Sequence, residues 1–188
     1  MNIKKIAEKS HRLELNAYTG FARATFTLCI NGRKKVLVNA GIAEEFVEIL
    51  ENCCKKHEVV NWIYIFMPDH LHLVLEGISE NSNIYKCAVL FKQKTGYYFS
   101  KNTVAAGSRK LQLASDTQAE ACGYSSLRCY AGWQKDFYDH IHRKDEDLKK
   151  HIRYIAENPV RGGLTARWED YPYIGSVHYN LKVLLNGM

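Results

Sequence analysis

Polar and apolar positions alternate from Arg23 to Ile30, with Phe26, Leu28 and Ile30 on one side and Thr25, Thr27 and Cys29 on the other. A period of two belongs to a half-buried strand, and Asn31-Gly32 follows it as a turn signal. Over residues 42–56 the period lengthens, placing Ile42, Phe46, Ile49, Leu50 and Cys53 at helical spacing. Two strands are predicted next, near 59–66 and 70–76, separated by Met67-Pro68-Asp69. The proline ends the first, and the short gap makes the pair antiparallel neighbours. Residues 82–99 read as a second helix with Ile84, Cys87, Ala88, Phe91 and Thr95 on one stripe. Gln134 to Arg143 then reads as a strand around Phe137, Tyr138 and Ile141. A helix follows over 145–158, stopped by Pro159. On it Leu148, Ile152 and Ile155 follow an i, i+4, i+7 pattern and must face the core. The order β-α-β-β-α, with a further strand late in the chain, predicts an α+β fold. Its natural form is a ferredoxin-like, split βαβ antiparallel sheet with helices packed on one face.

The chain of 188 residues, 46% hydrophobic and 24% charged, is long enough for a single domain with a proper core. Residues 1–188 read as that one domain, with an inserted loop at about 102–130 where Ala, Ser and Gly dominate and periodicity fades. A short C-terminal extension begins at about 177. No apolar run reaches the roughly 20 residues of a membrane helix, and the basic N-terminus precedes no apolar signal core. A cytoplasmic protein without a membrane partner is therefore expected. Cys29, Cys53, Cys54, Cys87, Cys122 and Cys129 lack Cys-x-x-Cys spacing, which points to reduced thiols in place of a zinc site.

A net charge of +6 is compatible with a polyanionic partner. Across 79–110 the bases Lys86, Lys92, Lys94, Lys101, Arg109 and Lys110 face one acid, Glu80, with Tyr97, Tyr98 and Phe99 interleaved. Such a run is usually a solvated face. Aromatic residues among lysines also suit nucleic acid, because bases stack on rings while ammonium groups take phosphates. Lys92 and Lys94 are the candidate phosphate contacts.

Candidate chemistry concentrates at His70-Leu71-His72. Strand alternation puts both imidazoles on one face, about 7 Å apart along the strand, with Leu71, Leu73 and Leu75 on the other. Two such imidazoles can share a divalent metal, although a histidine in an apolar run is more often a packing residue. On the helix 145–158, a second stripe carries His151, Tyr154 and Asn158 beside the core positions. A tyrosine bordering a core stripe is usually a packing residue with a wet hydroxyl.

Taken together, these segments resemble a known family. His70-Leu71-His72, the basic helix after it, Gly132-Trp133-Gln134-Lys135-Asp136-Phe137-Tyr138-Asp139-His140, and Arg153-Tyr154-Ile155-Ala156-Glu157-Asn158-Pro159-Val160-Arg161-Gly162-Gly163-Leu164 resemble the single-tyrosine HUH transposases. Within that superfamily the chain is most similar to the REP-associated tyrosine transposases, from about Thr25 to about Ser176. Met67-Pro68-Asp69-His70-Leu71-His72 and Tyr154-Ile155-Ala156-Glu157-Asn158-Pro159 carry the likeness most specifically, and Trp168-Glu169-Asp170-Tyr171-Pro172-Tyr173 also fits.

The resemblance implies an HUH endonuclease-type fold and a DNA transposase or nickase that cleaves and rejoins single strands through a covalent 5′-phosphotyrosine. His70 and His72 would be metal ligands and Tyr154 the nucleophile. Asn158 stands where insertion-sequence relatives carry a glutamine as third ligand. Oxygen chemistry with mixed N/O ligands suggests Mg²⁺ or Mn²⁺. The implied partner is single-stranded DNA, with hairpins at its recognition sites, and relatives act as monomers or homodimers.

Two rival readings stay open: a non-catalytic nucleic-acid-binding module on the same fold, and a metal-dependent hydrolase without a covalent step. His140 and His151 are candidate accessory groups. The sequence His140-Ile141-His142 otherwise reads as a strand edge with exposed imidazoles, and His151 as an exposed helix residue.

Overall fold

Asn39 caps the first long helix by accepting a hydrogen bond from the Ile42 amide, 3.1 Å away, so the helical period starts slightly before residue 42. The computed structural model describes residues 14–106, 132–143 and 147–186. Its first strand, β1, spans Arg23–Cys29, and the capped helix α1 runs Ala40–His57. The strands β2 (Val59–Met67) and β3 (His70–Gly77) form a hairpin in which Met67 pairs with His70. Pro68 therefore falls in the turn, where its fixed φ is an advantage and its missing N–H is no loss.

The helix α2 spans Ile84–Ala106. It absorbs residues 102–106, which composition had assigned to an inserted loop. The rest of that insertion, 107–130, and the residues 1–13 read for targeting lie outside the described residues, as do Cys122 and Cys129. The next strand, β4, is shorter than the 134–143 read from the pattern, covering Tyr138–Ile141. The chain before it pairs next to β1 through an Ile30–Trp133 bridge and a bond from the Gln134 amide to the Cys29 carbonyl, 2.8 Å, then bends and sets the Phe137 ring against Phe26.

These elements make a five-stranded antiparallel sheet in the order β4-β1-β3-β2-β5, where β5 is Ile174–Gly175. The unit β1-α1-β2-β3-α2-β4 with order β4-β1-β3-β2 is the split βαβ arrangement, and β5 extends it at the outer edge of β2.

The core has two parts, one on each side of the sheet. Under α1 and α2, Phe26, Leu28, Leu71, Leu73 and Leu75 pack with Leu50, Cys53, Phe91 and Phe46. The Phe46 ring is the hub, with centroids of Phe66, Phe91, Tyr98, Phe99 and Trp133 between 5.2 and 6.3 Å away. Cys29, Cys53, Cys54 and Cys87 are buried free thiols. On the opposite face, Ile63, Ile65, Met67 and Val74 are covered by Ile152 and Ile155 of α3 (Leu148–Ala156) and by Trp168, Tyr171, Leu181 and Leu185.

Helices thus lie on both faces, which corrects the expectation of one covered face. The reason is the run Val59–Met67, whose side chains are buried on both sides, as in a strand covered above and below. The final residues join this second core, since Leu181 and Leu185 belong to α5 (Leu181–Asn186). Among the described residues no helix is long and apolar enough to cross a membrane.

Pro159 does not stop the chain's helical course. α3 ends at Ala156, Glu157 keeps right-handed helical backbone angles, and Pro159 lies in the first turn of the short α4 (Asn158–Arg161). A proline is tolerated there because that amide has no intrahelical acceptor to lose.

Phe46→Ala should lower stability by about 3–5 kcal/mol, the range for emptying an aromatic core position. Urea unfolding followed by circular dichroism should show a lower midpoint at similar slope.

Candidate active site

Cross-strand pairing fixes which side chains meet on the α3 side of the sheet. Thr27 of β1 pairs with His72 of β3, which pairs with Ile65 of β2; Thr25 pairs with Val74 on one side and His140 on the other. Paired residues share a face, so His70 and His72 look toward α3 while Leu71, Leu73 and Leu75 enter the opposite core. The two imidazole centroids are 4.9 Å apart and nearly perpendicular. That is closer than the strand rise alone gives, because the rings lean together.

Each ring is oriented through Nδ1. His70 Nδ1 donates to the Asp69 carboxylate at 2.6 Å, and His72 Nδ1 is 2.8 Å from the Thr27 hydroxyl, which can accept the same proton. That tautomer turns both Nε2 lone pairs outward, the arrangement by which a second layer prepares imidazoles for an electrophile. Burial pulls the Asp69 carboxyl upward, but the bond and charge of His70 and the Arg33 guanidinium outweigh it and hold the group below its ordinary range. Desolvation, followed by the charges of His70, His151 and Arg161, pushes His72 down to about 4. His72 is therefore neutral near pH 7, as a ligand must be.

The helix brings the remaining candidates. Tyr154 is 61% exposed, and Asn158 is half-buried one turn later. Arg161, unmarked as a functional residue by the sequence reading, ties them together. Its Nη2 donates to the Tyr154 carbonyl at 2.7 Å and also to Asn158 Oδ1, and its Cζ lies 4.0 Å from the Tyr154 ring centroid. The signal was available: 154, 158 and 161 continue one helical stripe once the chain passes through Glu157 without unwinding. In this arrangement the Asn158 amide oxygen is turned to the arginine.

His151 is half-buried, not an exposed helix residue. Its Nε2 and that of His142 each lie 2.8 Å from the Thr25 hydroxyl, and the two rings are 4.2 Å apart. His142 is only 8% exposed, which corrects the reading of an exposed strand edge, while His140 is exposed and stacks on His151 at 6.3 Å. A strand edge was inferred from β4 alone, and the helix that covers His142 was not in view. The candidate accessory pair thus forms a histidine–threonine cluster beside the first pair, near enough for His151 to act electrostatically on His72.

Lys92 and Lys94 are not brought to this site. Both stand on α2, which packs against the opposite face of the sheet; Lys92 Nζ donates to the Lys135 carbonyl and lies over the Phe137 ring, while Lys94 is exposed. Among the described residues no three of His, Cys, Asp and Glu converge as a metal cage. A metal on His70 and His72 would need oxygen donors of another kind.

Residues 22–112 match a family model described as "Transposase IS200 like". Over those residues the chain is similar to that family. It is 26% identical over 157 residues to a protein of Haemophilus influenzae named as a REP-associated tyrosine transposase, covering 84% of this chain and 80% of that one. A REP-associated tyrosine transposase of Escherichia coli is 34% identical over 53 residues, covering 28% of this chain and 29% of that protein. The fold also matches a solved REP-associated tyrosine transposase bound to a REP hairpin, with a TM-score of 0.60 and 16% identity over 89% of this chain and 82% of that one. The matched segment carries His70 and His72, whereas Tyr154, Asn158 and Arg161 lie beyond residue 112.

The lowered His72 value has a thermodynamic consequence. Above about pH 6.5 folded and unfolded chains both carry it neutral, and it contributes nothing. Below that, the unfolded chain binds a proton that the folded protein refuses until about pH 4. In chelator, stability should therefore decline as pH falls from 6.5 to 4, by roughly 3 kcal/mol from this group. Urea titrations at stepped pH should show His72→Gln with a shallower decline; His57 and His178, also lowered by burial, keep it from being flat.

Proposed function

We propose that this protein is an IS200-like transposase, a metal-dependent single-tyrosine strand transferase that cleaves and rejoins single-stranded DNA. The observation that carries the reading is the pairing of two Nδ1-anchored imidazoles with a tyrosine helix laid across the same sheet face. A hairpin-bearing strand is the proposed substrate, supported by the solved structure of similar fold, which was bound to a REP hairpin.

His70 and His72 offer two imidazole nitrogens, and Asn158 an amide oxygen, a mixed set that fits Mg²⁺ or Mn²⁺. Such an ion, when bound, would supply Lewis-acid polarisation of the scissile phosphoryl group. Asn158 could join the set only after its oxygen leaves Arg161, and it is one methylene shorter than a glutamine.

Tyr154 would attack phosphorus through its phenolic oxygen. The Oη–P bond forms, the P–O3′ bond breaks, the phenolic proton passes to solvent and the departing 3′ oxygen takes one up. The downstream strand is left as a 5′-phosphotyrosine, whose ester bond replaces the phosphodiester one for one, so a 3′-hydroxyl can rejoin it without a nucleotide cofactor. Exposure suits this role, because an incoming strand must reach the ring. Asp69 and Thr27 hold the imidazoles, keeping the site organised before DNA arrives. Lys94, on the far face, suits a hairpin stem better than the scissile bond.

Oligonucleotides copied from DNA flanking the gene, incubated with Mn²⁺, should yield a protein-linked product on a denaturing gel. Tyr154→Phe should lower its yield by at least about 10³-fold, and chelator or His72→Ala should abolish it. Unchanged adduct in Tyr154→Phe sinks the nucleophile assignment. Binding without any adduct in the unaltered protein favours a non-catalytic binding module, and cleavage with both ends free favours a hydrolase.

A further inference from the structure

We propose that Arg161 is a catalytic residue of this site, its guanidinium contacting the scissile phosphate while its stack holds the Tyr154 ring. The inference rests on the strand-transfer reading above. An arginine at the end of a helix often does no more than satisfy nearby carbonyls. Arg161 does satisfy one, at Tyr154, but it also covers the face of the tyrosine ring at 4.0 Å and holds the Asn158 carboxamide. Its charge is felt at His72 as well. One side chain therefore touches the nucleophile and a candidate ligand, and acts on a second.

The rest of the fork is open. Nη1 has only the Glu157 carboxylate at 3.8 Å, beyond hydrogen-bond length, and Nε has no hydrogen-bond partner among the described residues. The residue is exposed and borders a groove of about 360 Å³ shared with Glu157, Val160, Arg167 and Trp168. A planar guanidinium with unused donors matches two oxygens of a phosphate.

Charge decides where Nη2 goes when DNA arrives. A hydrogen bond to an anionic phosphate is about twice as strong as one to a neutral amide, so the guanidinium exchanges Asn158 Oδ1 for the phosphate. The exchange frees the amide oxygen and leaves a fixed cation facing the charge that grows in the transition state. The arginine thus holds the third candidate ligand until substrate displaces that bond, while its stack on the Tyr154 ring persists.

The test uses the full chain, a single hairpin oligonucleotide and Mn²⁺, with single-turnover adduct formation and hairpin affinity measured separately. Arg161→Ala should slow adduct formation by about 10²–10³-fold, as for loss of one transition-state donor. Its hairpin affinity should fall by much less than its rate, since the phosphate contact made on binding strengthens as charge grows in the transition state. Arg161→Lys should retain part of the rate, keeping the charge but losing the fork. Added guanidinium ion should raise the rate of Arg161→Ala but not that of the unaltered protein. An Arg161→Ala rate within about threefold of the unaltered protein overturns the inference. So does a loss that matches the loss of binding and resists guanidinium. If Arg161→Ala fails to fold by circular dichroism, Arg161→Gln and Arg161→Lys decide on the same criteria. No adduct from the unaltered protein defeats the strand-transfer reading itself, whereas adduct undiminished in the variants defeats only the role of Arg161.

Discussion

Ile63 and Ile65 point away from α1 and α2, and only α3 with the chain after it keeps water from them. Burying each large aliphatic side chain is worth about 1.5–3 kcal/mol, so a sheet with β2 bare on that side would leave a large apolar surface wet. Covering it forces α3 down on the sheet through Ile152 and Ile155. The same sheet face carries His70 and His72, one strand over from β2. The chemistry of the site is therefore placed by a hydrophobic constraint: the helix is held by its isoleucines, and its polar stripe is delivered beside the imidazoles.

Precision at the site comes from polar contacts made by neighbours that carry no proposed chemistry. Asp69 and Thr27 each hold one imidazole by Nδ1, and Thr25 holds His142 and His151 through one hydroxyl. Two of these anchors come from β1, whose outward residues alternate with Phe26 and Leu28 in the core below. One strand thus serves packing on one face and orientation on the other. Burial also keeps His72 neutral, since a charged ring there would lose its solvation beside other cationic groups.

The basic residues divide between the two faces. Lys94 stands with the α1–α2 layer, while Arg161 stands on the tyrosine side with Tyr154 and Asn158. The run of bases counted over 79–110 does not include Arg161. In the proposed reaction, only a cation on the tyrosine side can act on the scissile bond.

The strands, both long helices and the shared face of His70 and His72 were legible in the chain, because period and turn chemistry are local properties. The stripe of Tyr154 and Asn158 was legible for the same reason. Periodicity could not say which face of the sheet α3 would cover, since Ile152 and Ile155 would be satisfied by any apolar surface; the two-sided burial of β2 decided it. Nor could it say that Pro159 starts a turn, that His142 is buried, or that β4 is four residues long, because each depends on what packs or pairs nearby. Arg161 shows the division most clearly. Its place on the stripe was written in the sequence, but its stack on Tyr154 and its hold on Asn158 exist only because the helical course continues past Glu157 and brings the guanidinium back over the preceding turns.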